Sequence, residues 1–145
     1  MAAALAYFDT SVLVKRYVEE PGAVTARRLM RRYRLLLSVI APLEAISAVC
    51  RRHRAGEMTQ THFDAITARL RADQAYWELV ELDSWILERA AALILDTPVR
   101  TLDAIHIASA LSVRMGSGQT LPFVTADLRQ REAAKRGGLH VEWVG

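Results

Sequence analysis

The feature that most constrains this chain is the run Leu5-Ala6-Tyr7-Phe8-Asp9, a short apolar and aromatic stretch closed by a carboxylate. Thr10 and Ser11 follow it before an amphipathic segment begins. Such a short run suits a buried strand better than a helix. An acid at the carboxyl end of a core strand, where a helix starts, lies on the edge at which open α/β sheets bind ligands. The same place is also a natural helix cap, because a side-chain oxygen there accepts from free backbone N–H groups. Whether Asp9 caps or does chemistry depends on which other acids reach that edge.

The rest of the chain repeats the arrangement. The patterning predicts helices over Val12–Val18 and Ala23–Arg34, then a buried strand over Leu35–Ile40. Pro42 suits a first helical turn, so the next helix runs to about Arg54 with Glu44 in its opening turn. Gly56 separates it from a helix over Thr59–Asp73, with Phe63, Ile66 and Leu70 at helical spacing. Trp77–Leu82 alternates and reads as a short strand or extended link, after which Asp83 or Ser84 caps a helix to Leu95. Pro98 holds 96–100 as a loop. Thr101–Leu111 is then a nearly uninterrupted apolar helix, capped by Thr101 and carrying Asp103 in its first turn. Gly116-Ser117-Gly118 breaks that helix. A strand over Leu121–Thr125, a helix from Asp127 through Arg136 and a strand over Leu139–Trp143 complete the chain. No repeat or linker divides the 145 residues, which suit one core. The expected class is α/β, one domain over 1–145.

Asp9, Glu44, Asp103 and Asp127 therefore each fall at a strand end or in a first helical turn. Helix dipoles favour carboxylates there, so capping remains an alternative for each taken singly. Asp103 is hardest to explain that way, since burying it unpaired between Leu102 and Ala104 would cost several kcal/mol. Carboxylates crowded together need protons or a cation, and no Lys or Arg stands beside the Asp9, Glu44 or Asp103 segments in an obvious neutralising position. Oxygen-rich sites of this kind suit Mg²⁺ or Mn²⁺. Such an ion activates water for in-line attack on a phosphodiester, with Glu44 or Asp127 freer for base work. The histidines His53, His62, His106 and His140 and the lone Cys50 lack zinc-ligand spacing. His106, one turn from Asp103, reads as a hydrogen-bonded core histidine. No nucleophile elbow and no phosphate-binding glycine loop occurs.

Composition narrows the partners. The basic residues are 17 Arg and only 2 Lys, with a net charge of +3. Arginine favours flat, bidentate contacts with phosphate or carboxylate. Lys15, Arg16 and the group Arg51, Arg52 and Arg54 are the first places to look for nucleic-acid contact, against the plainer reading of solvated helix faces. The same pair of readings applies to Arg27, Arg28, Arg31, Arg32 and Arg34. No apolar run approaches membrane-spanning length, and the opening Met1–Leu5 lacks the basic stretch of a secretory leader. One cysteine excludes an internal disulfide, and the expected location is the cytoplasm.

Four segments together resemble the PIN-domain family, and in particular the VapC-type toxins of prokaryotic toxin–antitoxin pairs. Tyr7-Phe8-Asp9-Thr10-Ser11 is similar to the family's opening Asp-x-Ser signature, and Leu43-Glu44 to its helical Glu. Arg100-Thr101-Leu102-Asp103-Ala104-Ile105-His106-Ile107-Ala108 is the most specific match, and Thr125-Ala126-Asp127 resembles the closing Thr-x-Asp. The resemblance implies a parallel sheet of four or five strands flanked by helices. It implies an Mg²⁺/Mn²⁺ site of Asp9, Glu44, Asp103 and Asp127, supported by hydrogen bonds from Ser11 and Thr125. The implied activity is a type II toxin endoribonuclease, with a cognate antitoxin as partner, a homodimer as assembly and no membrane. Apolar helices between Thr59 and Leu95 offer a dimer face. A PIN-like RNA- or protein-binding module without turnover is the alternative. A haloacid-dehalogenase-like phosphatase fits less well, because Ser11 stands where that fold wants a second Asp.

Overall fold

Leu5–Phe8 forms β1, the middle strand of a five-stranded sheet, in the computed structural model, which describes residues 3–145. Met1 and Ala2, part of the opening stretch read above for a leader, lie outside the described residues. The other strands are β2 (Arg34–Ser38), β3 (Glu78–Val80), β4 (Pro122–Thr125) and β5 (His140–Trp143), in the spatial order β3-β2-β1-β4-β5. Every neighbouring pair is parallel, with Tyr7 beside Leu36 on one side and Phe123 on the other. Parallel strands need long crossovers, and helices supply them here.

Strand alternation divides the core in two. Ala6, Phe8, Leu37 and Val124 pack under α1 (Thr10–Val14), α2 (Ala23–Arg32), α3 (Ala41–Arg54) and α4 (Gln60–Asp73). Tyr7, Leu36 and Phe123 pack under α5 (Ser84–Asp96), α6 (Thr101–Ser117) and α7 (Leu128–Arg136). With both faces covered, the inner strands β1, β2 and β4 are largely buried and read as apolar runs, whereas the edge strands β3 and β5 stay partly exposed. The α/β class and the parallel sheet are as expected, with the larger of the two strand numbers.

Boundaries differ where local geometry overrides pattern. The first helix spans only Thr10–Val14 and continues as turns, with the Tyr17 N–H on the Val14 carbonyl. The second stops at Arg32 because Tyr33 turns extended and Arg34 joins β2. β2 ends at Ser38, since Val39 and Ile40 turn into α3. Thr101 is not a cap: Arg100 holds the cap position in extended conformation with no side-chain cap bond. That helix also passes through Gly116 and stops at Gly118, whose φ of 66° is left-handed and terminates helices readily. Asp83, not Ser84, caps α5. No helix among the described residues is long and apolar enough to cross a membrane. On α5, Leu87, Ile94 and Leu95 stay exposed along one stripe.

Candidate active site

The strand order reverses direction at β1: the chain leaves it first towards β2 and later places β4 on the opposite side. The crevice beyond the carboxyl ends of such strands is where an open α/β sheet receives ligands. Asp9 directly follows β1 and caps α1, its Oδ1 accepting from the Val12 N–H at 3.2 Å. Asp127 stands two residues beyond β4 and caps α7 through the Gln130 N–H at 3.0 Å. Glu44 and Asp103 sit in the first turns of α3 and α6. The tertiary fold thus gathers acids far apart in sequence at one edge. Glu44, Asp103 and Asp127 line a crevice of about 920 Å³ together with Thr10, Ser11 and His106.

Asp9 lies wholly buried behind that wall. The Ser11 hydroxyl donates to its Oδ1 and the Thr125 hydroxyl to its Oδ2, each at 2.6 Å. These two hydroxyls are themselves fixed from behind, Ser11 by the Ala126 N–H and Thr125 by the Asp127 N–H. Burial pushes the Asp9 carboxyl above its ordinary range, and His106 together with the hydroxyl and backbone donors pulls the other way. No cation pairs with Asp9 among the described residues.

Glu44 is held differently. Burial opposes its charge, but His106 and the Thr10 hydroxyl outweigh that and keep its carboxyl below the ordinary range. Both reach Oε1, each at 2.7 Å. An ionised Glu44 only accepts, so the shared proton belongs to His106 Nε2. The other ring nitrogen, Nδ1, lies 2.8 Å from the Tyr7 hydroxyl. Burial holds that phenol well above its usual range, in keeping with a donor that keeps its proton. Tyr7 reaches this position because it points to the opposite face of β1 from Phe8.

Asp103 and Asp127 share a cation. Arg100 Nε lies 3.3 Å from Asp103 Oδ2, and its Nη2 lies 3.7 Å from Asp127 Oδ2. This corrects the expectation that no basic residue stands beside the acids. Arg100 is three residues before Asp103, and its extended backbone lets the side chain curl back over the first turn of α6. Gln130 completes the setting by donating from Nε2 to Asp103 Oδ1 at 2.9 Å, while its own Oε1 is buried without a partner. Sequence reading missed Gln130 and Arg100. The signals were their spacings, one turn after the Asp127 cap and one turn before Asp103.

The basic residues named for nucleic-acid contact divide. Lys15 is buried against Glu20 and the Pro21 carbonyl, Arg16 pairs with Asp73, and Arg52 pairs with Glu20 and Glu57. Arg51 lines the crevice with its guanidinium on the Ser47 hydroxyl. Arg54 is exposed and has no ion-pair partner among the described residues.

Among the described residues, no three His, Cys, Asp or Glu side chains already converge at metal-ligand spacing. Each acid is instead occupied by its own donors. The donor set nevertheless fits a hard divalent cation. Mg²⁺ uses one or two carboxylates and keeps several waters, and the orphaned Gln130 Oε1 is an acceptor suited to such a water.

Fold and site together define a doubly wound α/β protein with a carboxylate-lined crevice at its switch point. A family model described as PIN domain matches residues 6–136. The chain is 32% identical over 140 residues to Ribonuclease VapC46 of Mycobacterium tuberculosis (strain ATCC 25618 / H37Rv), covering 93% of this chain and 94% of that protein. The chain belongs to the PIN-domain family. Solved structures share the fold at lower identity. DNA-bound VapBC from Salmonella typhimurium aligns with a TM-score of 0.68 at 18% identity, over 98% of this chain and 99% of that one. The sarcin-ricin loop cleaving toxin VapC20 of Mycobacterium tuberculosis aligns with a TM-score of 0.65 at 17% identity, over 88% and 94%.

Proposed function

We propose that residues 1–145 work as a single nuclease domain, a divalent-metal-dependent endoribonuclease acting as the toxin of a type II toxin–antitoxin pair. The observation that carries this reading is the convergence of Glu44, Asp103 and Asp127 on one crevice with Asp9 buried behind it, in a chain related to a named ribonuclease. Asp9, Asp103 and Asp127, with Glu44, would hold Mg²⁺ or Mn²⁺. When bound, the ion supplies Lewis acidity, which lowers the pKa of water and neutralises charge on the phosphodiester.

The chain's own residues do the rest. Ser11 and Thr125 fix both oxygens of Asp9, so this acid is oriented before any ligand arrives. Gln130 does the same for Asp103. His106, backed by Tyr7, aims Glu44 and keeps it ionised, as a carboxylate that accepts a proton from attacking water must be. Arg51 and Arg54 are free to meet phosphates, unlike Lys15, Arg16 and Arg52. A cognate antitoxin would cover the crevice, and the exposed Leu87, Ile94 and Leu95 of α5 would supply a homodimer contact. The proposed location is the cytoplasm.

The test is cleavage of end-labelled RNA with Mg²⁺ or Mn²⁺, comparing wild type with Asp9→Ala and Asp103→Ala. Each substitution should lower the rate by more than about 100-fold. Cleavage that survives both would refute the assignment of these acids.

A further inference from the structure

Arg100 is placed unlike the other cations of the crevice. Its guanidinium lies on two carboxylates at once, yet its side chain is 68% exposed where those of Asp103 and Asp127 are 7% and 24% exposed. Among the described residues its guanidinium has no other side-chain partner, and its side chain makes no cap bond that would pin it. Lys15 and Arg52, which line the same crevice, are committed to Glu20, and Arg51 meets only the Ser47 hydroxyl and none of the acids. Arg100 is therefore the cation that both neutralises the acids and is free to leave them.

Two physical facts decide when it leaves. An exposed ion pair is weak, because water screens it and the long side chain loses rotamer freedom in it. A compact divalent ion binds carboxylate oxygen more strongly than a guanidinium does, and two cations on the same oxygens repel each other. Once displaced, Arg100 stays at the crevice mouth with no second carboxylate to pair with. Its planar fork then matches a phosphate bidentately.

We infer that Arg100 is a resident counter-cation with two successive partners: Asp103 and Asp127 in the metal-free protein, and the RNA phosphate once a divalent ion occupies the acids. The inference rests on the nuclease reading above and adds a substrate-contacting residue to it. Its signature is that removing one side chain acts in opposite directions on the two ligands.

Calorimetric titration with Mn²⁺ alone, without RNA, reads the first partner. RNA cleavage at saturating Mn²⁺ reads the second. Arg100→Ala should bind Mn²⁺ about three- to fivefold more tightly than wild type, while its kcat/KM on RNA falls about 10- to 100-fold. Arg100→Lys should restore Mn²⁺ affinity towards the wild-type value but recover little cleavage, since a point charge lacks the fork. Arg100→Ala leaves Asp103 its Gln130 donor, so both variants should still fold, and melting curves check that they do. Unchanged or weaker Mn²⁺ binding by Arg100→Ala would overturn the inference, and so would undiminished cleavage. Either result in a wild type that cuts RNA leaves the nuclease reading standing. A wild type that neither binds Mn²⁺ nor cuts RNA would sink that reading first.

Discussion

Two helices of similar length, α6 and α4, behave in opposite ways. In α6 every residue from Asp103 to Leu111 is buried, including a carboxylate and an imidazole. In α4 only Ile66 and Leu70 are buried, and the charged residues lie in or near water. The two ionisable groups buried in α6 are therefore met by other parts of the protein, Asp103 by Gln130 and His106 by Tyr7 and Glu44. The ionisable groups of α4 mostly face solvent, with Asp73 at its end the exception, held by Arg16 and Tyr17. A charge in an apolar helix thus points to a site, whereas a charge on a striped helix carries little information.

The largest expected effect bears on packing. Ile107→Ala removes a wholly buried side chain of α6 and should cost about 3–5 kcal/mol in urea unfolding. Leu70→Ala, equally buried but on a helix packed along one side, should cost nearer 2–3 kcal/mol because the site can collapse. Equal losses would break the contrast between the two helices.

Next comes pH, where Glu44 and Asp9 should respond with opposite signs. Glu44 has its folded pKa below the ordinary 4.5, so its charge stabilises the fold at neutral pH. That contribution is lost as pH falls from 4.5 through the folded value. Glu44→Gln should then lower Tm at pH 7 and converge with wild type in acid. Asp9 has its folded pKa raised above 3.8, so its contribution is present in acid and lost as pH rises through the folded value. Asp9→Asn in chelator should therefore raise Tm at pH 7, with the gain fading as pH falls from the folded value towards 3.8. Melting curves across pH check both, and shifts of the same sign would contradict the hydrogen-bond assignments.

The smallest effect concerns salt. Arg54→Ala should reduce the slope of log affinity for RNA against log salt by about 1. Arg16→Ala should leave it unchanged, since its guanidinium already belongs to Asp73 of α4. A slope that responds to Arg16 would show that this ion pair opens for RNA.

Legibility followed the same division. β1, the α6 segment and the four acids were readable because an acid ending an apolar run, or one inside an apolar helix, conflicts with its surroundings and so stands out. Helix ends were less readable: Arg34 belongs to a strand and Thr101 is not a cap, since backbone turning at Tyr33 and Arg100 decided both. Arg100 and Gln130 carried no conflict. An arginine before a helix and a glutamine in its first turn are ordinary residues until a second acid arrives beside them.

The sequence by itself determined the alternation of buried runs and helices, hence a covered parallel sheet, and it determined where each carboxylate falls along its own element. Only the tertiary structure decided what each carboxylate meets: hydroxyls for Asp9, an imidazole for Glu44, and one shared guanidinium for Asp103 and Asp127. The reason is range. Periodicity and capping act over a few neighbouring residues, whereas these partners are brought together by strand order across as many as 116 positions of chain.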